Sequence, residues 1–554
     1  MALEGRRLPT DYENSSKDAL PDSKLEERNP SDEALDTENG TRSRFGFGNS
    51  DKHPGGRIAP VLSHLRGYDF GSDTDSTDIL GKQIELEAGN DIQYRTCSWP
   101  KASGISLRRR QWHALTGFHQ TAALLFSEYI CLAIMSFPYS YSVLGLVPGL
   151  ILTVVIAGLV LYTSLVVWEF CLRHPEVRDV CDIGQMLFWG KTWAWYATAV
   201  MFVLNNTFIQ ALHVLVTAKY LNTITSHSQC TIVFAVIGTV ICFFFSLPRT
   251  FSALAKLATF SAFFTFLSVL LAAIFAAIEA HPAGYNPDPN YVNPKTGLPG
   301  GEPIVTALPV KGTTFVAGMN AFLNISYTFI GQITLPSFIA EMRNPKDFPK
   351  ALWAVTIAEV FIFGIVGAVV YAYTGNQYNT APAFGSLGND IYKKVSFSFM
   401  IPTLIFLGVL YASVSARFIF FRIFEGTRHK SSHTVAGWSA WAGILAATWV
   451  LAFIIAEVIP FFSDLLSLMS SLFDSFFGFI FWGLAYIRMR RVDGGVTWLK
   501  EQSLYGYSML ALNIVIILIG LFFLGAGTYT SVQSIITDTE GSVGGVFTCA
   551  DNGL

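Results

Sequence analysis

Residues 127–138 read SEYICLAIMSFP, and residues 322–336 read FLNISYTFIGQITLP. Each stretch lies within a long apolar run, yet each carries polar side chains and ends in a proline. A proline removes one N–H donor and disrupts the hydrogen-bond ladder of a helix. These two stretches therefore predict a pair of apolar helices that are both interrupted near their middle.

The composition is that of an apolar body joined to a polar tail. Charged residues make up 14% of the 554 residues, against about 25% in soluble domains, and mean hydropathy is +0.43. Residues 1–115 carry 16 Lys or Arg and 19 Asp or Glu, whereas the remaining 439 residues carry only 42 charges. The net charge of −3 does not indicate nucleic-acid binding, and residues 1–115 are predicted to form a disordered cytoplasmic tail.

The apolar body predicts eleven membrane-spanning segments within residues 116–532, followed by a short extracytoplasmic tail at 533–554. Each segment must be helical, because backbone N–H and C=O groups find no water to bond within lipid. The approximate limits are 118–144, 147–172, 193–221, 230–248, 254–279, 314–340, 350–374, 395–424, 436–458, 461–487 and 506–532.

The distribution of Lys and Arg predicts the orientation of these segments. With the N-terminus in the cytoplasm, nineteen basic residues beyond residue 107 fall on the inner side and five on the outer side. The positive-inside rule expects this excess, and the odd number of segments places the C-terminus outside. Cys230 and Cys549 then lie near the outer face, either as two free thiols or as a disulfide. No cysteine spacing indicates a metal site.

The two interrupted segments are the first and the sixth, and they lie five segments apart. Because five is odd, the second set of five segments is inverted relative to the first. This predicts repeats at about 118–279 and 314–487, with an accessory helix at 506–532. Interrupted helices in corresponding positions of two repeats indicate a transporter whose binding site lies near the membrane midplane.

Two motifs resemble a known family. Residues 128–149, EYICLAIMSFPYSYSVLGLVPG, and residues 337–352, SFIAEMRNPKDFPKAL, resemble the amino acid/auxin permease family, and in particular its fungal neutral amino acid permeases. The resemblance covers roughly residues 110–550. It implies an all-α polytopic fold of the LeuT/APC-like type, with eleven helices, a five-plus-five inverted repeat and proton-coupled amino acid uptake. Cys131 and Ala133 stand where members often carry Ser or Gly. The added methyl group of Ala133 narrows the space beside the substrate backbone, so the range of substrates is expected to differ from that of other members.

A zwitterionic amino acid needs N–H donors for its carboxylate and carbonyl acceptors for its ammonium group. The interruption near Cys131–Ile134 offers the donors, and the carbonyls of Ser326–Phe329 offer the acceptors. Apolar side chains near the second interruption either form a side-chain pocket or pack in the core. The predicted substrate-binding residues are Cys131, Leu132, Ala133, Ile134, Ser326, Tyr327, Phe329, Ile330 and Gly331.

Ionisable residues inside the segments are candidates for proton coupling, because intramembrane carboxyls are functional candidates by default. Glu128 is the first candidate and Glu359 the second, each with a permanently neutral carboxyl as the alternative. Lys256 either substitutes for a bound sodium ion or extends to the interface. Ser413 and Ser415 lie where this fold places hydroxyls of a cation site, or they bond back to their own helix.

Two further polar groups each have two interpretations. Asn205, Asn206 and Gln210 form a patch that either lines the pathway or ties helices together. Glu341 and Arg343 follow the sixth segment at its inner end. They form either an inner gate of ion pairs or part of a solvated loop.

The sequence thus predicts a secondary transporter that imports neutral aliphatic or aromatic amino acids together with protons across the plasma membrane. An amino-acid sensor with little or no flux and a vacuolar exporter are the alternatives. The expected partners are the amino acid, protons and the lipid bilayer, with no nucleic acid, cofactor or metal. An enzyme is disfavoured, because no nucleophile–base pair or phosphate-binding glycine loop is present. The lone His213 receives no role.

Overall fold

The computed structural model describes residues 118–177, 179–249, 252–288, 290–293, 296–342, 344–425, 427–430, 434–500, 502–541 and 546–554. The predicted tail at 1–115 and Arg343 lie outside these residues, as do the side chains of Lys256 and Glu341. Apart from one isolated bridge, all regular structure in the described part of the chain is helical. The predicted all-α character is therefore confirmed.

Helices occupy all the predicted apolar segments, and short helices also lie between some of them. In chain order the α-helices are α1 (Phe118–Tyr129), α2 (Phe137–Leu144), α3 (Leu146–Arg173), α4 (Val180–Leu187), α5 (Thr192–Thr225), α6 (Thr231–Ser246), α7 (Ser252–Ile278), α8 (Phe315–Phe329), α9 (Leu335–Glu341), α10 (Phe348–Tyr378), α11 (Asp390–Ser398), α12 (Ile401–Ile423), α13 (Val435–Val458), α14 (Phe462–Met469), α15 (Phe481–Gly494), α16 (Leu504–Phe522) and α17 (Thr528–Gly541). A 3-10 helix spans Leu132–Ser136, and π-helices span Ser470–Ile480 and Phe523–Gly527.

Eight continuous helical stretches in the described residues are long and apolar enough to cross a membrane, judged by length and composition. Some of them join two or more of the helices named above. Two shorter apolar helices, Leu132–Leu144 and Thr231–Ser246, coincide with parts of the first and fourth predicted segments. The second of these is about 24 Å long, less than the roughly 30 Å thickness of a hydrocarbon core. The count of eleven crossings, their orientation and the inverted repeat therefore stay predictions.

The last predicted segment continues beyond its expected limit of residue 532. The helical path through α16, the second π-helix and α17 reaches Gly541, because a helical ladder does not need apolar side chains outside lipid. Only 22% of an apolar 18-residue stretch within Leu504–Glu540 is buried, compared with 89% of such a stretch within Phe462–Asp493. The last helix is therefore peripheral, whereas the tenth predicted segment lies in the interior.

Both predicted interruptions are present. In the first break (residues 130–131), α1 ends at Tyr129 and Cys131 is extended, with φ −122° and ψ −175°, before the 3-10 helix begins. In the second break (residues 330–334), α8 ends at Phe329 and Ile330 is extended, with φ −92° and ψ 109°. Prolines open the helices that follow, at position 138 in α2 and position 336 in α9.

Helix packing brings the two breaks together. The helix α8 packs against α2, α14 and the 3-10 helix, so the second break lies beside the first. The long helix α5 packs against α12 and α13, and α12 also packs against α7. The interior that results is rich in buried polar side chains, many of them on α5.

Candidate functional site

The two breaks place helix ends beside each other, which is where the sequence predicts backbone groups for a ligand. The first N–H groups of a helix and its last C=O groups have no partner within that helix. At the first break these are the N–H groups at Leu132 and Ala133. At the second break they are carbonyls at the end of α8, although the Tyr327 carbonyl accepts a bond from the Ile330 N–H at 3.2 Å.

A cavity opens onto both breaks and encloses about 710 Å³ of space between its lining atoms, including the part open to solvent. Residues of both breaks line it together with side chains from α5, α12 and the first π-helix. The predicted substrate-binding residues that line it are Cys131, Leu132, Ala133, Tyr327, Ile330 and Gly331. The structure thus brings most of the predicted set to one place.

Three predicted binding residues do not line this cavity. Ile134, Ser326 and Phe329 are all buried elsewhere. The ring of Phe329 packs against Phe137 and Phe363, with centroid distances of 6.2 and 5.3 Å. Positions 326 and 329 share a helical face, and that face of α8 packs in the core instead of facing the cavity.

Glu128 lies in the cavity wall at the end of α1 and is only 7% exposed. The hydroxyl of Tyr411 on α12 donates a hydrogen bond to Glu128 Oε1 at 2.9 Å. Glu128 Oε2 has no hydrogen-bond partner among the described residues. One carboxyl oxygen is therefore held by a neighbouring helix, and the other is available to a ligand or a proton.

Comparison with known proteins identifies the family. Residues 115–533 match the transmembrane amino acid transporter protein family. The chain belongs to that family. It is therefore a multi-pass membrane protein of an amino acid transporter family, and its relatives carry transporter names and not enzyme names.

Two relatives of this family member are fungal. The N amino acid transport system protein of Neurospora crassa is 32% identical over 79% of this chain and 89% of the relative. A transmembrane transporter of Gibberella moniliformis is 30% identical over 88% of this chain and 94% of the relative. A crystal structure of MhsT in complex with L-phenylalanine has a TM-score of 0.47 and 13% identity, covering 73% of this chain and 98% of that chain.

Three further candidates for ion coupling in this transporter family member, Glu359, Ser413 and Ser415, are not among the residues that line the cavity. Glu359 on α10 is buried, and its Oε1 has no partner in the described part of the chain. Ser415 Oγ accepts a hydrogen bond from Asn206 Nδ2 at 3.0 Å, which ties α12 to α5. Ser413 is buried without a hydrogen-bond partner among the described residues, and Lys256 lies on α7.

The polar patch on α5 is divided between the two roles considered for it. Asn205 lines the cavity. Asn206 bonds to α12, and Gln210 Nε2 donates to the Asn206 carbonyl at 3.2 Å. One member therefore faces the candidate pathway, Asn206 ties α5 to α12, and Gln210 bonds back to its own helix.

The side chains of the predicted inner gate lie outside the described residues. A different ion-pair network is present at the ends of α3 and α15. Arg173 lies 2.6 Å from Asp493 and 2.7 Å from Glu169. Arg490 lies 3.1 Å from Asp493 and 3.0 Å from Glu169. Glu341 ends α9 and its side chain is outside the description, as is Arg343. The Arg173–Glu169 and Arg490–Asp493 pairs have helical spacing, whereas the Arg173–Asp493 and Arg490–Glu169 pairs join positions some 320 apart and have no signal in the sequence.

Three lining residues that matter chemically were not predicted: Tyr411, His213 and Asp474. Asp474 is an intramembrane carboxyl, and the rule that selects Glu128 would also have selected it. Tyr411 gives no such signal, because it reaches Glu128 across 283 positions of sequence. Among the described residues, no group of three His, Cys, Asp or Glu side chains could hold a metal ion.

Proposed function

We propose that this chain is a secondary active transporter that carries neutral amino acids together with protons by alternating access. Family membership supports amino acid transport in general. The observation that carries the finer proposal is one cavity that opens onto both helix breaks and contains a carboxyl, Glu128. Such a cavity offers a zwitterion two sets of backbone dipoles and offers a proton one acceptor.

The substrate backbone would bind at the two breaks. Its carboxylate would accept hydrogen bonds from the N–H groups of Leu132 and Ala133, where the positive end of the following helix begins. Its ammonium group would donate to carbonyls at the end of α8, near Ser326–Phe329. No Lys or Arg is among the described residues that line the cavity, so dipoles must provide the stabilisation of the carboxylate.

The proton would bind at Glu128. A charge at the centre of a bilayer costs about 2.5–3.5 kcal/mol, so a neutral carboxyl is the favoured form while the site is closed. The Tyr411 hydroxyl can donate to the carboxylate and holds it beside the first break. Glu359 is the second proton candidate, and Lys256 remains a candidate substitute for a sodium ion.

The membrane arrangement is part of the same proposal. It consists of eleven crossings with a cytoplasmic N-terminal tail at 1–115, a transporter domain at 116–532 and inverted repeats at about 118–279 and 314–487. The accessory helix at 506–532 then leads to an extracytoplasmic C-terminus. We place the transporter in the plasma membrane, where it would import its substrate.

The proposal is tested by uptake of a panel of labelled amino acids in cells that lack their own permeases. Uptake should be faster at acid external pH than at neutral pH, and unchanged when sodium is removed. A requirement for sodium would contradict proton coupling. Intact binding without measurable flux would instead support a sensor.

The role of Glu128 is tested by Glu128→Gln, which keeps the shape of the side chain but cannot exchange a proton. We expect the variant to lose the pH dependence of uptake. Glu457→Gln, at the end of α13 and outside this cavity, is the matched control and should keep it. An unchanged pH profile in Glu128→Gln, or loss of the profile in Glu359→Gln alone, would exclude Glu128 as the proton carrier.

A further inference from the structure

Beyond the two breaks, the cavity extends toward α5, α12 and the first π-helix. Its walls there are partly apolar, with Ile209, Leu212, Leu407 and Phe477. Two titratable side chains, His213 and Asp474, line the same region. The sequence predicted an apolar side-chain pocket, so these two residues need a separate explanation.

The orientation of the His213 ring determines what its free nitrogen can do. His213 is 4% exposed, and its Nδ1 lies 2.8 Å from the carbonyl oxygen of Ile209. A carbonyl can only accept, so Nδ1 must donate its proton. In the neutral ring Nε2 is then an acceptor, and it has no partner among the described residues.

Asp474 presents a second buried polar group with an unpartnered atom. It lies in the π-helix Ser470–Ile480, a type of helix that is frequent at functional sites, and it is 5% exposed. The Ser470 side chain lies near this carboxyl. Asp474 Oδ2 has no hydrogen-bond partner in the described part of the chain.

Buried polar side chains without hydrogen-bond partners are unfavourable. A buried polar group that lacks its hydrogen bond loses the solvation it had in water and gains nothing in return. A ligand that brings a donor removes this cost, whereas an apolar ligand of the same shape leaves it in place. The lining therefore discriminates between substrates by hydrogen-bonding capacity as well as by size.

We propose that His213 and Asp474 bind a hydrogen-bond donor on the substrate side chain, so that neutral amino acids with amide or hydroxyl side chains are preferred over apolar ones of the same shape. This rests on the proposed function, which assigns the substrate backbone to the two breaks. A cationic side chain fits less well, because it would lose its hydration among apolar walls for the sake of a single carboxyl.

The test compares uptake of isosteric pairs, asparagine against leucine and threonine against valine, in the permease-deficient cells. The wild type should favour the polar member of each pair about tenfold, which is the scale of discrimination by one satisfied hydrogen bond. His213→Phe and Asp474→Leu should bring both ratios toward one. The change should come from lost uptake of the polar member, with leucine and valine uptake retained.

The matched control is Gln210→Leu, which removes a buried polar side chain from the same helix α5, close to His213 in sequence. Gln210 does not line the cavity, so this variant should keep the wild-type ratios. Surface expression of each variant is measured so that uptake is compared per molecule of transporter.

A second measurement covers variants that fail to fold. Purified wild-type protein should gain more thermal stability from asparagine than from leucine at equal concentration. Equal stabilisation, a wild-type uptake ratio near one, or equal loss of both pair members in the variants would overturn this inference. Preferred uptake of arginine or lysine would also overturn it, whereas failure to transport any amino acid would contradict the proposed function itself.

Discussion

Glu128 shows how one residue can be recognised in sequence while its partner cannot. A carboxyl within an apolar run stands out because burial of a charge is costly. Tyr411 is one of 21 tyrosines, and only the approach of α12 to α1 makes it the donor to that carboxyl. The chemistry of the pair therefore depends on the packing of two helices.

We predict that removal of the Tyr411 hydroxyl reduces transport. Tyr411→Phe deletes the hydroxyl and leaves Glu128 Oε1 without its partner, at a cost of about 1–3 kcal/mol for a buried acceptor. We expect uptake to fall by about tenfold or more and the pH profile to change. The measurement is initial uptake rate at several external pH values, corrected for surface expression.

Tyr220→Phe is the matched control for Tyr411→Phe. The Tyr220 hydroxyl also bonds across helices, to Ser398 Oγ at 3.1 Å, but Tyr220 does not line the cavity. This variant should keep the wild-type pH profile. If both variants behaved alike, the Tyr411–Glu128 bond would have a structural role only.

At the scale of elements, the second break is closely packed against the first helix. A Cβ atom built on Gly331 would lie 2.4 Å from Cε1 of Tyr129, well inside the contact distance of two carbon atoms. Only a residue without a side chain lets α1 and the second break approach this closely. The glycine therefore positions the two halves of the candidate site relative to each other.

Gly331→Ala should consequently impair uptake strongly, because the methyl group forces the break away from the Tyr129 ring. We expect reduced thermal stability of the purified protein and a loss of uptake of at least tenfold. The control is Gly318→Ala in the neighbouring helix α8, where an added Cβ meets nothing within 4 Å. Alanine favours a helix interior over glycine by about 1 kcal/mol, so the control should be neutral or stabilising. Wild-type uptake in Gly331→Ala would show that the close contact is not needed.

On the scale of the whole molecule, the C-terminal residues 546–554 are fastened to the ends of α5 and α6. A disulfide joins Cys230 to Cys549. Nearby, Thr231 Oγ1 donates to the Ala550 carbonyl at 2.6 Å, and Asn222 Nδ2 donates to Asn552 Oδ1 at 2.7 Å. Residues more than 300 positions apart are thus held together at this face of the protein.

Loss of this disulfide should lower stability without changing substrate preference, because the cavity lies elsewhere. Disulfides typically contribute about 2–4 kcal/mol, so Cys230→Ser with Cys549→Ser should melt at a lower temperature than the wild type. A reductant should lower the wild-type melting temperature to that of the double variant and leave the variant unaffected. Cys171→Ser, at a free cysteine on α3, is the control and should respond to reductant like the wild type. An identical melting temperature with and without reductant in the wild type would contradict the prediction.

The residue pattern by itself determined the helical fold, the apolar segments and the positions of the two breaks. These features depend on local causes: lipid requires satisfied backbone groups, and prolines or polar residues interrupt a helical ladder within a few positions. The family could also be recognised from two motifs, because they are contiguous in sequence.

Tertiary structure alone decided which of the candidate residues share a cavity. Side chains at neighbouring positions of α8 and the second break face either the cavity or the core, so Tyr327 and Ile330 line the cavity and Phe329 does not. His213 and Asp474 come from helices far apart in sequence, and they line one cavity only because the tertiary structure brings α5 and the π-helix to it. Long-range packing of this kind leaves no periodic or compositional trace, because the sequence of one helix does not record which other helix lies beside it.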